Sequence, residues 1–513
     1  MRTKAGLLLV WLVLSASQVL GTKLFINMDD KQTNHLRAYG IVYNAIAAGG
    51  TADWLLNYKG GSFALELTPA LEAACKQRNV SYTRISNKEY AAVTARVKAA
   101  AFNGDVVPLS KVPRIAVYTP SGKKPWDDAV TLGLTYAGIP FDKLYVSEVL
   151  AGDLGKYDWL HLHHEDFTGQ YGRFWIQYKD AAWYRADCRA TEQLAARYGY
   201  KKVAQMQLAV VKKIREFVGA GGNLFAMCSA TDTYDIALAA NGTDICDSPY
   251  DGDGIAPNAQ SRLNFSNCFA FTGFTLSTAR YEYEYSTIDN TNFRFVPEST
   301  DYFTLLPFPA RFDPVPSMLC QNHTKRIKGF MGQTTAFRKE NLKPDVLLMG
   351  HRKDVHEARY IHGKYKEGTW TFYGGHDPED YEHKVGEPPT DLDLHPNSPG
   401  YRLILNNVLC LASGKKDVPA VVCCGSMSTP APAPLVPAAM PVRITPGSSG
   451  SSRVISVADG QLIEQVTLVN KDGNEALTRK YNASKITIDM DGLAPGLYNI
   501  KVNGNYAGKV VKN

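Results

Sequence analysis

Apolar and polar positions along this chain switch between a period of two and a period near 3.6, and the switches mark its elements. Residues 23–29 read as a strand. Residues 35–48 read as a helix, with Leu36, Tyr39, Val42, Tyr43 and Ile46 on one face and Gly49-Gly50 ending it. Residues 53–58 and 61–65 are extended, 69–78 helical and 80–85 extended, giving an α/β lead-in module over 22–111. A second series follows Pro113: strand 114–118, helix 126–137 closed by Gly138 and Pro140, strands 143–146 and 157–163, helix 202–218, and the buried strand 223–227. This alternation predicts an α/β core over 112–412 with a doubly wound, mostly parallel sheet, whose ligands bind at the carboxyl ends of its strands. Within it, 244–346 breaks into short extended pieces and turns, a β-rich insertion that includes the stripe Tyr281, Tyr283 and Tyr285. Strands 345–349 and 369–373 and a closing helix 401–411 complete the core. Pro, Ala, Gly and Ser dominate 413–452, the composition of a linker, and 453–513 alternates strands with turns as a small antiparallel β-sandwich.

Charge narrows the partners. A formal charge of +6 over 513 residues, with no Lys/Arg run, argues against nucleic acid. Arg2 and Lys4 precede the apolar run 6–14 and the small residues Ser15-Ala16-Ser17, the pattern of a secretory signal peptide over 1–21. No later segment is long enough to span a bilayer. The expected location is therefore secreted or cell-surface. Nine cysteines are too sparse for a disulfide scaffold, although export favours some pairing. No motif calls for a cofactor.

Chemistry concentrates at three predicted strand ends. Strand 223–227 stops at Cys228, and Ser229, Ala230, Thr231 and Asp232 offer polar starts for the next helix. Strand, sharp turn and helix with a nucleophile on the turn is an elbow, and Ala226 and Ala230 are small where its backbone is crowded. A helix N-terminus stabilises a thiolate, while a small apolar core cysteine is the structural alternative. Strand 369–373 runs into Gly374-Gly375-His376-Asp377-Pro378-Glu379. His376 there is a candidate general base, oriented by Glu379 or Asp377, and the alternative is a turn capped by Asp377. Strand 157–163 ends in His161, His163, His164, Glu165 and Asp166. Ser229, His163, His164 and Glu165 are candidate substrate contacts. His161 and His163 share a strand face and are the candidate metal ligands, although zinc needs three or four. Asp247, Asp251 and Asp253 do not match a calcium loop and read as a solvated turn.

The order of these elements, with Cys228 at an elbow and His376 after a late strand, resembles the class I glutamine amidotransferase-like fold over about 112–412. That resemblance implies a cysteine nucleophile with a histidine base and a glutamate two residues beyond it. Here alanines replace the elbow glycines, Glu379 stands three residues on, and Glu165-Asp166 stand where an oxyanion-hole glycine pair is expected. The segment Phe372-Tyr373-Gly374-Gly375-His376-Asp377-Pro378-Glu379 also resembles the ThuA-like branch of that fold. Residues 26–40 and 53–63 are similar to exported Bacteroidetes proteins labelled asparagine synthetase B. The N-terminal cysteine and Ser-Gly-Gly loop of a true synthetase are absent, so that chemistry is not expected. The C-terminal segment, with Leu493-Ala494-Pro495-Gly496-Leu497-Tyr498, resembles a type IX secretion sorting domain and implies the secretion machinery as a partner. The combined expectation is an exported cysteine hydrolase or amidase acting on a small or peptide-like amide or ester. The alternatives are a non-catalytic surface protein on the same fold and a metal-dependent hydrolase.

Overall fold

The computed structural model describes residues 22–120, 128–280, 282–290, 298–330, 332–353, 355–381, 388–413, 443–446, 452–457, 462–470, 475–503 and 505–512. The expected signal peptide, most of the expected linker, Cys423, Cys424, Trp126 and Tyr281 lie outside them. The chain divides into two units, 1–427 and 428–513.

The first unit opens with strands β1 Thr22–Ile26, β2 Ala52–Leu55, β3 Ser62–Glu66, β4 Thr83–Ser86 and β5 Val106–Leu109, paired antiparallel in the order β4-β1-β3-β2-β5. Its large sheet holds β6 Ile115–Tyr118, β7 Asp142–Leu144, β8 Trp159–Leu162, β9 Asn223–Met227, β10 Tyr302–Leu305, β11 Arg326–Lys328, β12 Phe337–Arg338, β13 Leu347–Arg352, β14 Glu357–Tyr365 and β15 Gly368–Tyr373. The order is β11-β10-β13-β14-β15-β9-β8-β6-β7, with β12 on β14. The run β15-β9-β8-β6-β7 is parallel. The other strands pair antiparallel. The fold is thus mixed α/β rather than mostly parallel. Connections as short as those joining β13, β14 and β15 leave no room for a crossover and force hairpins.

Alternation along the strands sorts the core into two faces. Ile115, Val117, Trp159, Phe225, Met227 and Tyr373 pack with the helices His35–Ala47, Ala129–Ala137 and Pro399–Leu409. Ala116, Leu160, Leu162, Leu224, Ala226 and Phe372 pack with the helices Val203–Gly219 and Ser229–Ala239. The lead-in module shares the first of these cores, with Leu24, Tyr39, Trp54 and Phe63 in one buried cluster with Leu403 and Ile404. Fully buried Arg402 ties the two parts together, donating to the carbonyls of Met28 (3.0 Å) and Gly60 (2.8 Å).

Between 244 and 346 the described residues form only the short strands β10, β11 and β12, with the remainder in turns and short helices, so the expected β-rich insertion is largely irregular. Tyr283 and Tyr285 lie on no strand. A buried polar chain of contacts takes its place: Arg173 donates to the carbonyls of Ser277 and Glu282, and Asp235 accepts from the backbone N–H groups of Phe269, Ala270 and Phe271. The described cysteines are all free thiols, so no disulfide forms among them. No helix among the described residues is long and apolar enough to cross a membrane. The second unit has its own core, including Ile455, Val466, Leu468, Ile488 and Ile500, between a three-stranded and a four-stranded antiparallel sheet.

Candidate active site

Register brings the three chemical segments together. In the parallel run Tyr373 pairs with Met227, and Ala226 with Leu162. Gly374, Cys228 and His163 therefore follow three neighbouring strand ends at nearly one level. Cys228 adopts φ 51, ψ −141 between β9 and the helix Ser229–Ala239. A positive φ at a non-glycine residue is strained and persists only where its surroundings hold it. Here the Cys228 N–H donates to Gly375 O (3.0 Å), and the Cys228 carbonyl accepts from the Thr231 N–H (3.1 Å) and hydroxyl (2.6 Å).

Both glycines of the Gly374-Gly375 pair are required by this clamp. Gly375 has φ 77 and donates to Thr334 O (3.1 Å), and a Cβ on Gly374 would stand 2.1 Å from Thr335 O. The loop around 332–335 closes over the elbow. A Cβ on Gly332, whose φ is +135, would lie 2.5 Å from His376 Cδ2, 3.3 Å from its Nε2 and 3.2 Å from Cys228 Sγ. Thiol and imidazole therefore line one point beneath that glycine. Gly332 and the backbone of Gln333 are site elements that sequence reasoning missed; a glycine in an irregular segment carries no period.

The sulfur is enclosed: Cys228 is 2% exposed and His376 5%. Burial pushes the thiol up to about 12, against the backbone N–H groups of Ser229 and Gln333 and the Ser229 hydroxyl, which favour the thiolate. The helix N-terminus favours the thiolate as expected, but desolvation outweighs it. Ser229 also donates its hydroxyl to His164 O (3.0 Å), fixing the chain after β8 to the elbow.

His163 stacks obliquely near His376, ring centroids 5.4 Å apart, and near exposed His164 at 4.4 Å. His161, fully buried, turns its Nε2 to 3.3 Å from Asp128 Oδ1, and His163 Nδ1 lies 3.7 Å from the same oxygen. Asp128 caps the helix Ala129–Ala137 through the N–H groups of Val130 (2.9 Å) and Thr131 (3.1 Å). Burial works against its charge, yet His161 and these donors hold its carboxyl below the usual range.

The carboxylates assigned from sequence to orient His376 serve other partners. Asp377 accepts from the N–H groups of Glu379 (2.9 Å) and Asp380 (3.2 Å), from Thr390 (2.8 Å) and from Tyr401 (3.1 Å). It is the turn cap, and it anchors the segment to the helix Pro399–Leu409. Glu379 pairs with His395 at 3.4 Å. Glu165 accepts from the His163 backbone N–H (2.8 Å), and burial pushes its carboxyl up to about 8. It holds the backbone at the end of β8. Around 244–253, Lys202 pairs with Asp244 (2.5 Å), Asp251 (3.0 Å) and Asp253, so an ammonium already supplies the positive charge there. Asp247 pairs with Arg280 (2.9 Å). A cavity of about 470 Å³ opens near Asn223, at the opposite end of β9 from Cys228, where Lys111 and Arg114 are bonded to Asp158.

No family model matches the chain, and no curated protein shows significant similarity to it. Among solved structures, two cytoplasmic proteins of Salmonella typhimurium are similar at 9% and 10% identity. Each match covers 58% of this chain and 98% and 99% of theirs, with TM-scores of 0.30 and 0.29. A beta-galactosidase of Bacillus circulans sp. alkalophilus is similar at 10% identity over 74% of this chain and 40% of that one, with a TM-score of 0.23. Likeness at this level carries no functional argument.

Proposed function

We propose that this protein is an exported cysteine-nucleophile hydrolase or amidase with a glutamine amidotransferase-like core. The single observation behind this reading is a strained elbow cysteine and a strand-end histidine lining one point under Gly332. The parallel run with helices packed on both faces supports the doubly wound description of the core. The charged and apolar N-terminal pattern supports export, and the sorting-type C-terminal sequence supports delivery to the cell surface.

In this reading His376 takes the Cys228 proton as sulfur attacks an amide or ester carbonyl. The developing oxyanion is held by N–H groups at the elbow, Ser229 and Gln333 being the donors closest to the sulfur. Collapse breaks the C–N or C–O bond, the leaving group takes the proton from His376, and a thioester remains on Cys228. Water then attacks the thioester, His376 accepting its proton and returning it to sulfur. A thiol held near 12 is neutral at rest, so the proton must leave in concert with attack. The 332–335 segment has to shift to admit substrate.

The test is hydrolysis of a panel of small amides and esters by the wild type, Cys228→Ala and Cys228→Ser. Loss of at least about 100-fold in turnover in both variants is expected. A Cys228→Ala protein with wild-type turnover on every substrate hydrolysed would exclude the role. The burial of Cys228 and the engagement of Asp377 and Glu379 elsewhere favour a second reading, a non-catalytic surface binding protein on the same fold. In that case no substrate would acylate Cys228.

A further inference from the structure

The cluster of Asp128, His161 and His163 remains unused by the cysteine chemistry. These three buried side chains come from two separate elements, the cap of the helix Ala129–Ala137 and the end of β8. Their donor atoms all lie within 4.8 Å of one another. His161 defines what the cluster lacks. Its Nδ1 faces the carbonyl of Phe225 at 3.2 Å, and a carbonyl only accepts, so Nδ1 carries the proton. In the neutral ring the lone pair is then on Nε2, fully enclosed and without a hydrogen bond, 3.3 Å from a carboxylate oxygen. An enclosed imidazole nitrogen beside a carboxylate calls for a positive charge between them, supplied either by a proton on Nε2 or by a metal ion, and Asp128 Oδ1 also accepts the Val130 and Thr131 N–H groups. Lys202 meets that need in the Asp244, Cys246 and Asp251 group, but no Lys or Arg contact is present at Asp128 among the described residues.

We propose that Asp128, His161 and His163 form a site for one divalent transition-metal ion of the zinc class. The spacing fits. Bonds of about 2.0–2.1 Å in tetrahedral geometry separate ligand atoms by about 3.3 Å, close to the observed 3.3 and 3.7 Å between carboxylate and imidazoles. The surroundings of the ligands also suit a metal. The His161 tautomer is set by the Phe225 carbonyl, and Asp128 is oriented by the Val130 and Thr131 N–H groups, as ligands of bound metals are ordinarily held. A proton shared by His161 and Asp128 would satisfy that pair alone, whereas a metal ion would take a donor atom from each of the three groups. Three protein ligands leave a coordination position open, the arrangement of catalytic rather than structural zinc. The ring of His163 lies 5.4 Å from that of His376, so such an ion adjoins the cysteine site without depending on its chemistry.

The experiment strips the full-length protein with chelator, reloads it with Zn²⁺ or Co²⁺ alone, removes loose ions by gel filtration and measures metal per chain. The wild type and Cys228→Ala are each expected to retain about one ion per chain, Co²⁺ giving a tetrahedral-type visible spectrum. Asp128→Asn, His161→Gln and His163→Gln are each expected to bind at least about 10-fold more weakly. No retained ion in the wild type, or unchanged affinity in the three folded variants, would overturn the proposal. X-ray absorption on the zinc-loaded wild type decides the matter even if a variant does not fold. An oxygen and imidazole shell supports the site, and a sulfur shell at about 2.3 Å overturns it.

Discussion

Gly332 shows how one missing Cβ shapes this site. Its φ of +135 and its place against both Cys228 and His376 leave no room for a side chain. Gly332→Ala is expected to displace His376 or lift the loop, lowering turnover at least about 10-fold and stability by about 1–3 kcal/mol; kinetics and thermal melting of the variant measure both. Glu165 provides a cleaner electrostatic case. Its carboxyl is raised from 4.5 to about 8, so the folded state holds the proton more tightly than the unfolded chain. The stability this contributes is complete below about pH 4.5 and is lost as pH rises through about 8. Glu165→Gln should therefore gain in melting temperature relative to wild type between those limits, with the difference levelling off above them. A constant difference across that range would show that Glu165 does not titrate there. The positions of Cys228 and His376 at neighbouring strand ends were legible in sequence because each follows an apolar run beside small residues. Asp128 was not, because the Asp127-Asp128 pair fell inside the helix expected over 126–137, whereas the helix begins at Ala129 with Asp128 as its cap.

Among the elements, β9 and its flanking helices were the most readable, because a five-residue apolar strand bounded by glycines and a polar turn admits few alternatives. β14 was missed. Its sequence, Glu357–Tyr365, mixes Glu, Arg, His, Gly and Lys, yet its first seven residues are buried. Arg359 there pairs with Glu357 (3.1 Å) on its own strand and with Asp301 (2.9 Å), and the second pairing crosses a distance in sequence that no local period can announce. The same limit applies to 244–346, where aromatic residues imitate strands but pack as turns. The exit loop of β15 is the element on which the elbow depends. Gly374→Ala would drive a Cβ to 2.1 Å from the Thr335 carbonyl, a backbone atom that cannot swing aside. A loss of about 1–3 kcal/mol in chemical denaturation is expected. Unchanged stability would mean the clamp between Gly375, Thr334 and Cys228 is looser than described.

For the whole molecule, the boundary expected near residue 112 is not a break in the core, because helix His35–Ala47 and the first sheet share buried side chains with helix Pro399–Leu409. Arg402→Met removes donors from two buried carbonyls and is expected to cost about 2–4 kcal/mol. The residues through 413 should still unfold in one transition; two resolved transitions within that unit would contradict a shared core. The C-terminal unit, 428–513, has a buried core of its own. The proposed chemistry depends on the convergence of Cys228 and His376 at the adjoining ends of β9 and β15, and that pair is tested most directly. Wild type and His376→Gln are to be incubated with p-nitrophenyl acetate and the Cys228 peptide weighed by mass spectrometry. An acetyl adduct on Cys228 in the wild type, formed at least about 10-fold more slowly in the variant, is the expected result; no adduct in the wild type, or equal rates in the two proteins, would contradict it.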